Sequence, residues 1–175
     1  MKYLIVYESK TGNTRFLAET LHLFLKDEVG KNVSIEIMTV SEFNDAPVDA
    51  DVYFVGFGTN RGSCSLAVTD ALEYMEKKKI VLFGTCGMGN SPEYYKQIEK
   101  KVSVWIPDDS ENMGFFLCQG KMPEQIKEKY ENMEGSVPES QRLEILRQYE
   151  NGKDHPDDAD VDNFIQFIEE ILVGL

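Results

Sequence analysis

Ser9, Lys10, Thr11, Gly12, Asn13 and Thr14 stand directly behind the first apolar run of this chain. Six small or polar residues at such a corner bury nothing. Ser9, Thr11 and Thr14 supply hydroxyl donors, and Gly12 lets the backbone approach a ligand closely. A helix starting near Asn13 or Thr14 adds N–H groups and the positive end of its dipole. This set suits an anion, and a phosphate monoester fits it well. Two more runs of turn residues, 58–65 and 84–91, are glycine-rich and nearly uncharged apart from Arg61. Backbone amides in such loops can face a flat ligand. Other phosphate patterns fail on residues. "SKTGNT" lacks the spacing and the Gly-Lys pair of a Walker loop. A dinucleotide fingerprint needs GxGxxG behind the first strand, where only Gly12 is present.

These loops need a scaffold that gathers them. "KYLIVY" over 2–7 is a short apolar run of the kind buried on both faces. Leu17, Leu21, Phe24 and Leu25 then share a helical stripe, with Gly30 as a stop. "VSIEIMT" over 33–39 alternates like a half-buried edge strand. A third strand runs over 51–58 and a fourth over 79–90, each breaking into glycine. "MGFFLCQGK" over 113–121 is a fifth. Leu66, Thr69, Leu72 and Met75 mark a helix between the third and fourth. Tyr95, Ile98, Val102 and Trp105 mark another after Pro92. Val161, Phe164, Ile165, Ile168 and Leu172 define the last helix. Strands alternating with helices predict an α/β fold with a parallel sheet, because each parallel crossover needs a covering helix. Ligands in such sheets sit beyond the carboxyl ends of the strands, where the three loops fall. Residues 122–158 break the alternation as a polar, helix-prone insert. Ile126, Tyr130 and Met133 lie on one stripe there, and Leu143, Leu146 and Tyr149 on another.

The 175 residues suggest a single domain, and 42% hydrophobic residues suffice for its core. Thirty-one acidic residues against 18 basic ones give a net charge of −13. That excludes nucleic acid, which needs a basic footprint. It suits a partner with a basic docking face. Cys64, Cys86 and Cys118 form no CxxC pair and read as reduced cytoplasmic thiols. No apolar run reaches the ~20 residues of a membrane span, so no membrane partner is expected.

"IVYESKTGNTRFLAETL" resembles the flavodoxin signature, with six polar positions in register. "FGTCGMGN" over 83–90 is similar to that family's loop after strand four. The resemblance spans roughly residues 1–121 and the last helix. It implies a doubly wound five-stranded sheet of order 2-1-3-4-5 and FMN as cofactor. The phosphate would lie on Ser9, Lys10, Thr11, Gly12, Asn13 and Thr14. The ring would lie between Gly58, Thr59, Asn60, Arg61 and Gly62 on one side and Thr85, Cys86, Gly87, Met88, Gly89 and Asn90 on the other. The chain departs from the family pattern at three places. Asn60, Arg61 and Gly62 replace the aromatic, glycine and acidic residues usual after strand three. Met88 stands where some flavodoxins stack an aromatic, with Tyr94 and Tyr95 nearby. Lys10 charges a loop that is usually neutral.

The remaining chemistry-bearing residues have plainer roles. His22 is expected on the surface and His155 in a turn, without metal. Cys86 and Cys118 end neighbouring strands and are expected as free thiols. The acids of 157–162 favour the start of a helix. No catalytic base is apparent. The expected function is a monomeric, cytoplasmic electron carrier that relays electrons through FMN to a partner reductase. The alternative is a reductase or oxidase on the same fold, acting directly on a quinone or a tetrapyrrole. A receiver domain would need an acceptor Asp where Val55, Gly56, Phe57 and Gly58 stand. The insert is expected to matter to partners more than to folding, with Glu124, Glu128, Glu131 and Glu134 on one helix face; in the alternative it builds part of a substrate pocket.

Overall fold

A computed structural model describes residues 1–30, 32–89, 91–133 and 135–175. Asn90 of the third loop and Glu134 of the insert lie outside the described residues. Five parallel strands form one sheet: β1 (Lys2–Tyr7), β2 (Ser34–Thr39), β3 (Val52–Gly58), β4 (Lys79–Cys86) and β5 (Glu111–Gln119). Their order is β2-β1-β3-β4-β5, the doubly wound order that the sequence implies. Around them run α1 (Asn13–Glu28), α2 (Val40–Asp45), α3 (Leu66–Glu73), α4 (Pro92–Ser103), α5 (Glu124–Glu131), α6 (Glu139–Gly152) and α7 (Asp158–Val173).

Successive residues of a strand point to opposite faces, and each face here has its own core. Leu4, Val6, Val55, Phe57 and Leu82 pack with Phe43, Leu72, Ile98 and Val102 of α2, α3 and α4. Ile5, Phe54, Val81 and Phe83 pack with Leu17, Leu21, Phe164 and Ile168 of α1 and α7. Covering on both sides is why β1, β3 and β4 read as unbroken apolar runs. The edge strand β2 keeps Ile35 and Ile37 only half-buried, as its alternation predicts.

Some boundaries differ from the sequence reading. Helix α2 was not expected. It has six residues, too few to show a period, and is fixed by a capping box between Thr39 and Glu42. The Thr39 backbone N–H and hydroxyl hold the Glu42 carboxyl below its usual pKa. Helix α4 stops at Ser103, so Trp105 lies beyond the helix and is exposed. Helix α3 stops at Glu73, yet Met75 is fully buried past its end. The insert divides into α5 and α6. Among the described residues no helix is long and apolar enough to cross a membrane.

Gly84 lies on β4 directly against Phe57 of β3. A Cβ there would lie 2.7 Å from the backbone oxygen of Phe57 and 2.9 Å from its ring. Backbone cannot yield as a flexible side chain can. Gly84→Ala should lower stability by about 1–3 kcal/mol, read as an earlier urea midpoint with an unchanged slope.

Candidate functional site

Parallel pairing sends β1, β3 and β4 to the same edge, and their exits meet in one cleft of about 690 Å³. Chain direction alone places three loops there. What each presents follows from its residues.

The first loop enters α1 through Gly12, whose φ of +91° is left-handed and suits glycine. The Gly12 N–H donates to Ser9 Oγ at 3.1 Å, and its carbonyl accepts from the Phe16 N–H. No side chain caps α1, and its first turn holds no acid. The leading N–H groups are therefore left to a ligand or to water. Ser9, Lys10, Thr11, Asn13 and Thr14 all line the cleft. Thr11 is exposed. Thr14, in contrast, is 1% exposed, and its hydroxyl bonds Thr85 Oγ1 at 3.0 Å. It links the first loop to β4 rather than standing open as a donor. Asn13 Nδ2 donates to Thr11 Oγ1 and to the Lys121 carbonyl.

The second loop is a tight reversal. Asn60 and Ser63 exchange backbone bonds of 2.7 and 3.1 Å around Arg61 (φ 50°) and Gly62 (φ 78°). Two successive left-handed residues make this a type I′ turn. Gly58, Thr59, Asn60, Arg61 and Gly62 line the cleft. Thr59 Oγ1 is buried without a hydrogen-bond partner, and such atoms are rare unless something else satisfies them.

The third loop contributes Thr85, Cys86, Gly87 and Met88 to the lining, with Tyr94 from α4. Gly89 lies behind it, where its N–H donates to Gln148 Oε1 at 3.0 Å. Gly12 is likewise absent from the lining, because it turns the chain. Tyr95 instead packs against the core.

The sequence reading missed the fourth wall. Gly120, Lys121, Met122, Pro123, Ile126, Tyr130 and Ile145 also line the cleft. Met122 lies against Gly87, so close that a Cβ there would meet its Cγ at 2.5 Å. Gln119 Nε2 donates to the carbonyls of Gly87 (3.1 Å) and Gln148 (3.2 Å). The insert is therefore built into the third loop, so its place beside the cleft is structural as well as open to partners. The pairing of Ile126 with Tyr130 at i,i+4 was its visible signal. Nothing in the sequence tells that this stripe faces the loops.

Among the described residues, Lys10, Arg61 and Lys121 line the cleft against one carboxylate, Glu8, which accepts from Ser65 Oγ at 2.9 Å. In a chain of net charge −13, this is a local reversal. An uncapped helix N-terminus, exposed hydroxyls, cations and an unpartnered Thr59 hydroxyl fit a phosphate-bearing ligand with a polar, flat end.

The histidines and thiols stand apart from this chemistry. His22 is half-buried, and burial, then Lys26, holds its imidazole below the usual pKa. His155 closes a turn: its carbonyl accepts from the Lys121 N–H and its Nδ1 bonds Asp160. Asp157 and Asp160 form the capping box of α7. All three cysteines are free. Cys86 Sγ donates to the Met88 carbonyl. Burial pushes its thiol up to about 12, against a smaller opposing effect of Tyr95. Burial, then Asp160, raises the Cys118 thiol too, and burial raises that of Cys64.

The sheet order and the cleft at its carboxyl edge define a doubly wound, flavodoxin-like protein. Residues 4–169 match the flavodoxin domain family, and the chain belongs to it. It is 32% identical over 177 residues to the flavodoxin-like domain-containing protein BilS of Clostridioides difficile (strain CD3), spanning 99% of this chain and 97% of that protein. The BilS protein of Clostridium symbiosum (strain WAL-14163) is 30% identical over 183 residues, spanning 96% and 94%. In structure, the flavodoxin of Streptococcus pneumoniae TIGR4 superposes over the whole of both chains with TM-score 0.57 at 15% identity. An apo NADH:FMN oxidoreductase (EmoB) gives 0.52 at 11% identity over 91% of this chain and 92% of that one. These two likenesses speak for the fold.

The raised thiol pKa values have a testable sign. The unfolded chain loses thiol protons first as pH climbs past the ordinary value of 9.0, while Cys86 in the folded chain holds its proton to about 12. The stability tied to this proton is intact below pH 9.0 and lost between the two values. Thermal midpoints should fall over that range, less steeply in Cys86→Ala. At pH 8 a thiol reagent should leave Cys86 and Cys118 unmodified in native protein and modify both after unfolding.

Proposed function

We propose that the cleft binds FMN and that the protein relays electrons between this flavin and a larger partner reductase. The observation that carries the reading is the uncapped N-terminus of α1, opening among hydroxyls into a cleft that two glycine loops also line. FMN, when bound, supplies the one- and two-electron chemistry. The protein's own residues bind and orient it. Ser9, Lys10, Thr11, Asn13 and the first N–H groups of α1 would hold the phosphate. Thr14 and Thr85 tie that loop to the sheet. Gly58–Gly62 and Thr85–Met88 would flank the ring, with Thr59 Oγ1 as an available hydrogen-bonding group. No side chain lining the cleft is needed as an acid or base for electron relay. The acidic surface supports a partner with a basic docking face, and the reading places the protein in the cytoplasm as a monomer.

The apolar wall of the insert favours a second reading, in which the protein itself reduces or oxidises a flat acceptor such as a quinone or a tetrapyrrole. Turnover of a small acceptor by purified protein without a partner separates the two.

The first test is uptake of FMN, followed by visible absorbance; protein that takes up none overturns the reading. Thr11→Ala should then weaken FMN by at least about tenfold, since a bond to a charged group is worth roughly 1.5–3 kcal/mol. Riboflavin, which lacks the phosphate, should bind Thr11→Ala as it binds the wild type. Equal losses for both ligands would show that this loop holds no phosphate.

Arg61 should tune the flavin. It stays charged at any working pH and is exposed at the tip of its turn, lining the cleft. An exposed cation contributes up to ~1 kcal/mol toward negative charge gathered nearby. For a one-electron couple, at ~59 mV per tenfold, that is roughly 40 mV. Arg61→Gln should lower the more negative flavin midpoint potential by about this amount. An unchanged potential would show that Arg61 does not act on the ring.

A further inference from the structure

Helix α5 lacks a core of its own. None of its eight residues is buried, and an isolated helix shorter than ~12–15 residues is marginal in water. It leans on α6 through exposed contacts: Lys127 Nζ lies 3.6 Å from Glu150 and 5.7 Å from the centroid of the Tyr149 ring. Such pairs contribute little. Helix α6 is better anchored, with Gln148 and Gly152 buried against the end of β5. The two apolar side chains of α5, Ile126 and Tyr130, share one face at i,i+4, and both are half-buried and line the cleft. Most apolar stripes of short helices face protein. This one faces the space between the loops.

Elsewhere in the same space the side chains able to cover a ring are Met88 and Tyr94. The turn around Arg61 and Gly62 offers no aromatic face. Among the described residues, the aromatic side chains lining the cleft are Tyr94 and Tyr130. Tyr94 also packs against the core. Lys129 Nζ lies over the Tyr130 ring, 5.6 Å from its centroid, which leaves the opposite face of that ring. Met122, seated on Gly87, fixes the start of α5 against the third loop.

We propose that Ile126 and Tyr130 contact the isoalloxazine end of FMN, and that α5 completes its packing on the bound flavin. The proposal rests on the FMN reading of the cleft. The occupant follows from continuity. One cleft is lined both by the cationic, hydroxyl-rich entry of α1 and by the apolar side chains of α5, and FMN carries both a phosphate and a flat ring. The insert thus supplies the ring cover that the loop after β3 lacks, and Tyr130 is a binding residue of this chain's own making.

The test uses the full chain. FMN and riboflavin are titrated into wild type, Tyr130→Ala, Tyr130→Phe and Ile126→Ala. Hydrogen exchange across 124–131 is followed with and without FMN. Because α5 buries no residue, these variants should fold, and circular dichroism checks it. FMN should slow exchange in α5 by about tenfold or more. Tyr130→Ala should weaken FMN and riboflavin by the same factor, about tenfold, and change the fluorescence of the bound flavin. Tyr130→Phe should keep wild-type affinity. Equal loss for both ligands marks a ring contact, in contrast to the phosphate-dependent loss expected of Thr11→Ala. If wild type binds FMN but α5 exchanges at the same rate and both alanine variants bind as wild type, the proposal is overturned while the FMN reading stands. If wild type binds no FMN, the reading of the cleft and this proposal fall together.

Discussion

Parallel strand pairing fixes everything that follows. In β1, β3 and β4 the register sets Tyr7 beside Gly56 and Gly58 beside Thr85. Their carboxyl ends therefore reach one edge within three residues of each other. Loops that are 50 and 26 residues apart in sequence, measured from Ser9 to Thr59 and from Thr59 to Thr85, become adjacent without any contact of their own. The Thr14–Thr85 hydroxyl bond and the Thr59 N–H to Thr85 carbonyl bond then lock them together. Thr85 is the meeting point of all three. Its side chain holds the first loop and its backbone the second, while the chain beyond it forms the third.

The insert is held by a different interaction, the buried amide pair Gln119 and Gln148. Each is 4% exposed. Together they satisfy the Gly89 N–H and the carbonyls of Gly87 and Gln148. Buried amides are stable only with such partners. Gly89 and Gly152 leave the room, since a Cβ at either would lie within 2.7 Å of the Gln119 amide. The network couples the position of α6 to the shape of the third loop. A shift of the insert is thus a shift of the cleft wall.

The sheet was legible because its signal is redundant. Unbroken apolar strands, glycine at their exits and a covering helix after most strands all imply the same topology. The first loop was legible for a similar reason, since hydroxyls and glycine at a helix entry have few other uses. Three features were not. Helix α2 is too short for a hydrophobic period. Thr14 has the right chemistry for an anion donor, but whether its hydroxyl meets a ligand or Thr85 depends on a partner 71 residues away. The fourth wall is the largest omission. The stripe of Ile126 and Tyr130 shows that one face of α5 seeks cover, and the cover it finds is set by Gln119, Gln148 and Met122 acting over distance.

The charge of the site carries the last step. A chain with net charge −13 repels anions at long range, yet its cleft gathers Lys10, Arg61 and Lys121 around the α1 dipole. Screening limits surface charge to ~10 Å at 0.1 M salt, so the local cations dominate for any ligand seated in the cleft. The acidic exterior governs what approaches from outside. Such a division separates two tasks that net charge alone would set against each other. In the proposed reading the cleft retains a phosphate, while the acidic outer surface favours a partner with a basic face. Arg61 stands at the border between the two regions, exposed on its turn yet lining the cleft. On the proposed function, a change of charge at that tip would reach both the flavin and a docking partner, whereas a change at Thr11 would reach the flavin alone.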